Sequence, residues 1–393
     1  MLFYIIINLI IIFLLIIIFN KIIIETNKEM SDSKKTEMKP DTSKMEYRYL
    51  GNSGLRVSVL GFGNAVNYRN DKTTVESLKT ALSLGINYFD TAEIYGLGTG
   101  ETNLGKAMKE LGITRKKVVI STKIFKIGND PNDCFLSRKH IVEGLKNSLQ
   151  RLQLKYVDIV YCHRFDSNTP LEEICDAMNY IIDQGLAFYW GTSGWTASQI
   201  METYSICDKL GLIKPICEQS HYNIFTRSPI EDEYNDLIKK YKLGLVTYSP
   251  LECGILTGKY INEVPKDSRA NLNYDNANTL MDKYTREKKA WDEKLLKLKD
   301  IAEKKIKCTL AQLCIAWIIA NPDINCCLFG ASKSSQIEDN VKALDIYKKI
   351  DKETFIEIEK IMDNAPKGEM DYLTFTQLPS RRNVAMNIDY LKH

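Results

Sequence analysis

Short apolar runs alternate with amphipathic stretches along most of the chain. The runs lack the strict apolar–polar alternation of a half-exposed strand, which is typical of strands covered on both faces of a parallel sheet. They are NYFDTA (from Asn87), VVISTKI (from Val118), VDIVYCHR (from Val157), AFYWGTS (from Ala187), PICEQSHYN (from Pro215), GLVTYSP (from Gly244) and NCCLFGAS (from Asn325). Together with the run that ends at Gly63, they predict eight strands.

The stretches between these runs have apolar residues at helical spacing, as in SRKHIVEGLKNSLQRLQL and TLAQLCIAWIIANP. Several begin with Ser, Thr or Pro, as helices do. Eight strand–helix units over roughly 300 residues fit an α/β fold of the closed (β/α)8 TIM-barrel type better than an open sheet. No G-x-G-x-x-G follows the first strand, which argues against a Rossmann domain. A β-hairpin turning at Asn52–Gly54 is expected before the first barrel strand.

The first 24 residues form a hydrophobic segment, MLFYIIINLIIIFLLIIIFNKIII. A membrane span needs about 20 apolar residues, so this segment predicts a transmembrane helix that anchors the protein to a membrane. No Lys or Arg precedes the apolar run that ends at Phe19, and Lys21, Lys28, Lys34 and Lys35 follow it, so the barrel is expected on the cytoplasmic side. The alternative is a start at Met45, with the apolar run encoded by an AT-rich upstream reading frame. The predicted domains are an anchor (1–24), a charged flexible linker (25–45), the barrel (46–367) and a C-terminal tail (368–393).

Composition excludes some classes of protein. The 393 residues carry a net charge of only +3, without a basic stripe, so no nucleic-acid partner is expected. The ten cysteines include no C-x-x-C pair, and histidines number only four. This usage indicates reduced, mostly buried thiols rather than a disulfide framework or a metal site, and it suits a reducing compartment.

Polar side chains stand at the ends of three consecutive predicted strands. Asp90 ends the second strand and Tyr95 lies in the loop after it. Lys123 ends the third strand and His163 the fourth. Because the carboxyl ends of barrel strands share one rim, we expect these four side chains to converge.

This set suits the reduction of a carbonyl group. A hydride that adds to carbon leaves an alkoxide, which a phenol can protonate. A nearby ammonium lowers the pKa of a phenol, a carboxylate holds the ammonium in place, and an imidazole can orient the carbonyl oxygen. Taken singly, Tyr95 is typical of a surface loop and Asp90 of a helix cap. Together, the four predict an active site.

A series of motifs follows in a fixed order from about Tyr47 to Lys367. They are YLGNSGLRVSVLGFG, GINYFDTAEIYG, SRKHIVEGLKNSLQRLQLKYVDIVY, NTPLEE, YWGTSGW, SPLECGILTGKY, DSRANL and GASKSSQIEDN. In these motifs the chain resembles the aldo-keto reductase superfamily, particularly the branch of voltage-gated potassium channel β-subunits and related bacterial reductases. The resemblance implies a (β/α)8 barrel and bound NADP(H). It also implies that Tyr95 is the general acid, supported by Lys123, Asp90 and His163.

The resemblance also implies a set of cofactor-binding residues. Gln219, with Ser193 nearby, would meet the nicotinamide carboxamide, and Tyr248 would stack on the ring. The residues implied along the pyrophosphate are Ser249, Leu251, Cys253, Gly254 and Lys259. The residues implied around the adenosine and its 2′-phosphate are Arg269, Ser332, Lys333, Gln336, Asp339 and Asn340. A loop followed by a helix N-terminus after the eighth strand suits a phosphate.

Two functions remain open at this point. One is an NADPH-dependent oxidoreductase that reduces small aldehydes or ketones to alcohols. The other is a redox-sensing regulatory β-subunit with little turnover, docked on a voltage-gated potassium channel as a homotetramer. Channel β-subunits commonly carry Asn at the position of His163 and Arg at that of Gly194. Both residues here resemble those of ordinary reductases and favour the enzyme.

Overall fold

The computed structural model describes residues 44–65, 71–266, 268, 270, 275–367, 370–371, 376–377 and 382. The hydrophobic segment 1–24, nearly all of the linker 25–45, most of the tail 368–393, and Arg269 lie outside the described residues.

Eight parallel strands close into a barrel, as the apolar runs predict. The strands are β3 (Leu60–Gly63), β4 (Tyr88–Asp90), β5 (Val119–Ile124), β6 (Val157–Cys162), β7 (Ala187–Ser193), β8 (Cys217–His221), β9 (Gly244–Tyr248) and β10 (Cys326–Phe329). Each pairs with the next along the chain, and β10 returns to pair with β3, with Leu328 opposite Gly61. The (β/α)8 prediction is therefore confirmed.

A hairpin closes the N-terminal end of the barrel. Strands β1 (Tyr47–Tyr49) and β2 (Arg56–Ser58) pair antiparallel, as predicted. Leu50 and Val57 are fully buried against the barrel interior. Arg48 fixes the hairpin to the barrel wall, because its guanidinium donates to the carbonyl oxygens of Ile319 and Ile324 at 2.9 and 2.5 Å.

Helices cover the outside of the barrel. In chain order they are α1 (Asp71–Ser83), α2 (Thr99–Glu110), α3 (Arg138–Leu152), α4 (Leu171–Asp183), α5 (Ala197–Leu210), α6 (Asn235–Tyr241), α7 (Asp275–Arg286), α8 (Lys288–Asp300), α9 (Leu310–Ile319), α10 (Ser334–Val341), α11 (Ala343–Ile346) and α12 (Lys352–Met362). Thr196 and Thr309 start α5 and α9 with reciprocal capping boxes, and the hydroxyl of Ser137 caps α3. The main apolar core lies between these helices and the barrel.

The barrel interior contains a column of hydroxyl and thiol groups, which we call the hydroxyl column. The Cys217 thiol donates to Tyr161 Oη at 3.3 Å, and Tyr161 Oη lies 2.7 Å from Tyr88 Oη. Tyr88 in turn lies beside the side chain of Ser121, and Ser121 Oγ donates to Asp90 Oδ1 at 2.6 Å. Burial raises the pKa of both phenols well above the ordinary range, so they remain neutral.

The predictions of a transmembrane helix and of membrane association are not borne out by the described residues, outside which the segment 1–24 lies. Within the part of the chain that the structure describes, no helix has the length and apolar character needed to cross a membrane. The most apolar of these helices, α9, has ten residues, about half of what a span requires. Other helices around the barrel, such as α3 and α4, bury one apolar face against it and present a polar face outward.

Candidate active site

An ion pair between neighbouring strands lies at the C-terminal rim of the barrel. Lys123 Nζ bonds to the Asp90 carboxylate and also donates to the carbonyl oxygen of Thr91 at 2.9 Å. Lys123 is fully buried and Asp90 is 3% exposed. A buried lysine is costly unless it is paired, and the parallel register of β4 and β5 brings its partner into reach.

Asp90 is satisfied by two further donors. Ser121 Oγ donates to Oδ1 at 2.6 Å, and Gln219 Nε2 donates to the same oxygen at 3.1 Å. Together with the Lys123 ammonium, these donors occupy both oxygens of the buried carboxylate. The charge of Lys123 is therefore balanced at a fixed position.

The pKa of Lys123 reflects this balance. Burial by itself would lower it, but the charge of Asp90, together with the Tyr95 oxygen, outweighs burial and raises the pKa. Lys123 is thus a permanent ammonium, fixed inside the barrel and pointing at the rim.

Tyr95 lies on the open side of this ammonium. Its Oη is 3.3 Å from Lys123 Nζ, and its ring is partly exposed. The loop is held by two backbone bonds, from Tyr95 N to Ala92 O at 3.1 Å and from Gly100 N to Tyr95 O at 2.9 Å. A Cβ at Gly100 would lie only 3.1 Å from the Cβ of Tyr95, so glycine lets the loop fold back on itself.

His163 completes the predicted set. Its ring meets the Tyr95 ring edge-on, with centroids 6.1 Å apart. Burial, and then the charges of Lys123 and Arg164, lower the pKa of His163 well below its ordinary value. The imidazole is therefore neutral near pH 7 and can share a hydrogen bond without adding charge. The structure thus brings Asp90, Tyr95, Lys123 and His163 together.

A second group of predicted residues lies on the adjacent strand ends. Ser193 and Gln219 are partners in the β7–β8 register, and Ser193 Oγ donates to Gln219 O at 3.0 Å. Tyr248 ends β9 and is partly exposed. Its ring is stacked on that of His221, with centroids 5.3 Å apart and an angle of 10° between the planes. An amide, a hydroxyl and a flat ring therefore face the same rim.

The segment after β9 has an unusual backbone. Ser249 and then Glu252, Cys253 and Gly254 have positive φ angles, with φ 97° at Gly254. Leu251 precedes these three residues, which begin a short 3₁₀ segment (Glu252–Thr257). A Cβ at Gly254 would lie 2.9 Å from Lys259 Nζ, so the exposed lysine rests directly over this glycine. Successive non-helical turns beside a lysine suit an anionic group.

The segment after β10 contains the remaining predicted residues. Gln336 Oε1 accepts from Ser332 N at 2.8 Å and ties the loop to the start of α10, where Lys333 is exposed. Asp339, one turn further, accepts from Gln312 Nε2 at 2.9 Å and from Lys342 Nζ at 3.1 Å. The carboxylate of Asp339 is thus already occupied.

Two lysines in these segments could bind phosphate groups of a dinucleotide. Lys259 and Lys333 form no ion pair with any residue that the structure describes. Both remain available for phosphate, and Lys333 stands at a helix N-terminus. Asn340 is buried in α10, and Arg269 lies outside the described residues.

Some residues of the rim were not predicted from the sequence. Ser121 supports Asp90, Arg164 lies between His163 and Ser193, and Glu218 accepts from Gly194 N at 2.5 Å. Their position at strand ends is the sequence signal that could have revealed them, since Glu218 directly precedes Gln219 and Arg164 directly follows His163. Apart from His163, which directly precedes Arg164, their partners are distant in sequence, so no local motif reveals them.

A second unpredicted cluster lies beside Tyr248. His221 Nε2 lies 2.7 Å from Glu252 Oε2, and Asn223 Nδ2 donates to the same oxygen at 2.6 Å. Asn223 Nδ2 also donates to Ser249 O at 3.1 Å. The cluster ties the end of β8 to the turn that follows β9.

A closed (β/α)8 barrel with a tyrosine, a lysine–aspartate pair and a histidine at its C-terminal rim defines a class of oxidoreductase. A profile of the aldo/keto reductase family matches residues 59–363, and the chain belongs to this family. Members of the family generally bind NAD(P)H.

Two plant relatives match over their whole length. A probable voltage-gated potassium channel subunit beta of Oryza sativa subsp. japonica is 47% identical over 335 residues, which is 84% of this chain and 100% of the relative. A protein of the same name from Arabidopsis thaliana is 46% identical over 335 residues, with the same coverage. The resemblance to the channel β-subunit branch of the family is thereby confirmed.

Proposed function

We propose that this protein is an NADPH-dependent oxidoreductase that reduces aldehydes or ketones to alcohols, with Tyr95 as the general acid. The observation that carries the proposal is the position of Tyr95 Oη, 3.3 Å from the buried Lys123 ammonium and open to the rim. A phenol in this position can donate a proton, and the ammonium stabilises the phenolate that remains.

The residues divide the reaction between them. Bound NADPH would supply the hydride that adds to the carbonyl carbon. Tyr95 donates its proton to the carbonyl oxygen, which becomes the hydroxyl of the alcohol. Lys123 holds the resulting phenolate until it recovers a proton from solvent, and Asp90 keeps Lys123 in place. Neutral His163 bonds to the carbonyl oxygen and orients it towards Tyr95.

The cofactor would lie across the rim from Tyr248 to α10. Gln219 and Ser193 present groups that can bond to the carboxamide, and the Tyr248 ring offers a stacking face. The turn around Gly254, with Lys259, suits the pyrophosphate. Lys333, and Arg269 from the resemblance, would bind the 2′-phosphate through charge-assisted contacts and favour NADPH over NADH.

Substitution of Tyr95 tests the proposal. In the full-length protein, Tyr95→Phe keeps the ring and removes the proton, so turnover of aldehydes should fall by about 10²–10⁴-fold. NADPH binding, followed by fluorescence titration, should be unchanged. The control is Tyr49→Phe, which makes the same change at an exposed residue of the hairpin, at the other end of the barrel. Wild-type rates in the Tyr95 variant would sink the assignment.

The choice of cofactor has a separate test. Lys333→Ala should weaken binding of NADPH more than that of NADH. Lys342→Ala is the control, because Lys342 is already paired with Asp339. Equal weakening of both cofactors by Lys333→Ala would show that this side chain does not bind the 2′-phosphate.

The names of the plant relatives favour a second candidate function. By analogy with them, the protein would be a redox-sensing regulatory β-subunit, assembled as a tetramer on a voltage-gated potassium channel. Such a subunit would bind the cofactor tightly and would catalyse little turnover of carbonyl substrates. Single-turnover and steady-state oxidation of NADPH by a panel of carbonyl compounds separates the two: repeated rapid turnover favours the enzyme, and one slow turnover favours the regulatory subunit.

A further inference from the structure

Arg164 directly follows His163 and lies at the rim of the candidate active site. Its Nη1 donates to His163 O at 2.6 Å and to Ser193 Oγ at 3.3 Å. Its guanidinium carbon lies 5.9 Å from the centre of the Tyr248 ring. The residue therefore stands between the histidine and the strand ends that would hold the cofactor, and the proposed reaction gives it no role.

The charges that face the rim are otherwise balanced. Asp90 is paired with Lys123, and Glu252 Oε2 is already bonded to His221 Nε2 and Asn223 Nδ2. Glu218 is the remaining carboxyl group near Arg164, and burial raises its pKa to about 8. Glu218 is therefore mostly protonated near pH 7 and does not neutralise the guanidinium.

Arg164 is left with a positive charge and without a counter-ion among the residues that the structure describes. All of its hydrogen bonds within this part of the chain use Nη1, so Nε and Nη2 remain available. Gly194 has φ +69°, and a Cβ there would lie 3.2 Å from Nη1. The missing side chain leaves room for the guanidinium to lie flat against the end of β7.

An arginine with a free edge is suited to a carboxylate, because its parallel N–H groups match the two oxygens. We propose that Arg164 binds a carboxylate on the substrate, so that the preferred substrates are keto acids or semialdehyde acids rather than uncharged carbonyl compounds. This proposal rests on the proposed reductase function and specifies its substrate class.

Matched substrates test the proposal. Succinic semialdehyde and butanal have the same chain length and differ in the terminal carboxylate. Wild-type kcat/KM should be about 10- to 100-fold higher for succinic semialdehyde, which is the range expected for charged hydrogen bonds. Carboxybenzaldehyde and methylbenzaldehyde repeat the comparison on a rigid ring. If neither aldehyde of a pair is reduced, the proposed function itself fails. Equal reduction of both overturns only the substrate class.

Variants identify the residue responsible. Arg164→Met should remove the preference for the charged aldehyde while butanal keeps most of its rate, and Arg164→Lys should restore part of the preference. Arg56→Met is the control, because it removes the same charge from the hairpin at the opposite end of the barrel. An equal loss for both substrates in Arg164→Met overturns the proposal, since it indicates a structural role.

The anion bound by Arg164 could come instead from the cofactor, and the same variants distinguish the two sources. The dissociation constant of NADPH should be unchanged in Arg164→Met if the substrate supplies the carboxylate. A weakening of NADPH binding that matches the loss in kcat/KM, with the aldehyde preference kept, assigns Arg164 to the cofactor and overturns the proposal.

Discussion

Replacement of Glu218 by Gln should stabilise the protein above neutral pH. Glu218 is fully buried, and burial raises its pKa from 4.5 to about 8. One carboxyl oxygen accepts from Gly194 N at 2.5 Å. The other, Oε2, lies near Thr192 Oγ1, but neither atom completes a hydrogen bond of normal geometry within the described residues. A proton on Oε2 would complete that contact, and the amide of Gln can do the same without a charge.

The size of the pH-dependent change in the free energy of unfolding follows from the pKa values of Glu218 in the unfolded and folded states. Between pH 4.5 and 8 the unfolded chain loses the proton and the folded protein keeps it, so stability falls as pH rises through this window and is level above it. The difference of about 3.5 pH units, at 1.36 kcal/mol per unit, gives an upper limit of about 5 kcal/mol. Relaxation around the buried charge reduces the true value.

Urea denaturation of wild type and Glu218→Gln at about pH 5 and about pH 9 measures this difference. The free energy of unfolding should fall more steeply with pH in wild type than in the variant. Glu110→Gln, at an exposed position in α2, should leave the wild-type pH dependence unchanged. Parallel pH dependences for wild type and Glu218→Gln would refute the argument.

Three further substitutions test the packing of the site and barrel. Asp90→Asn leaves the Lys123 ammonium buried without its counter-ion and should lower the free energy of unfolding by about 3–5 kcal/mol; the double variant with Lys123→Met should recover part of this, and no recovery would contradict the pairing. Gly105→Ala brings a Cβ against the backbone of α3 and should cost about 1–3 kcal/mol, whereas Gly54→Ala, with open space around it, should leave Tm nearly unchanged. Tyr161→Phe removes the middle hydroxyl of the hydroxyl column and should cost about 1–3 kcal/mol; an unchanged denaturation midpoint would show that the column is not stabilising.

The strands could be predicted because barrel strands are covered on both faces. Continuous apolar runs therefore report burial directly. The runs overstate strand length, as β4 shows: the run NYFDTA yields only Tyr88–Asp90, and Thr91 already belongs to the loop. Apolar character indicates which residues are buried, whereas the residue at which a strand ends depends on its pairing with the neighbouring strands.

The sequence predicted which residues form the candidate site better than it predicted the contacts between them. Asp90 and Lys123 stand at the ends of consecutive strands, so the order of the strands along the chain was enough to predict that they share one rim. Gln219, however, reaches Asp90 across 129 residues of sequence. Such contacts depend on the closure of the barrel. The unpaired charge of Arg164 likewise follows from the protonation of Glu218, which only burial reveals.

The hydroxyl column has a consequence for how hydrogen atoms exchange at the rim. It runs from Asp90 down to Cys217, where the hairpin residues Leu50 and Val57 cover it, and its hydroxyl and thiol groups are fully buried. Among the described residues no exposed group connects this end of the column to solvent, so water reaches the reacting groups through the mouth of the barrel. For the proposed reduction, the hydroxyl hydrogen of each alcohol must enter by the route that the substrate uses. A bound substrate that fills the mouth would then delay isotope exchange at Tyr95 until the product leaves.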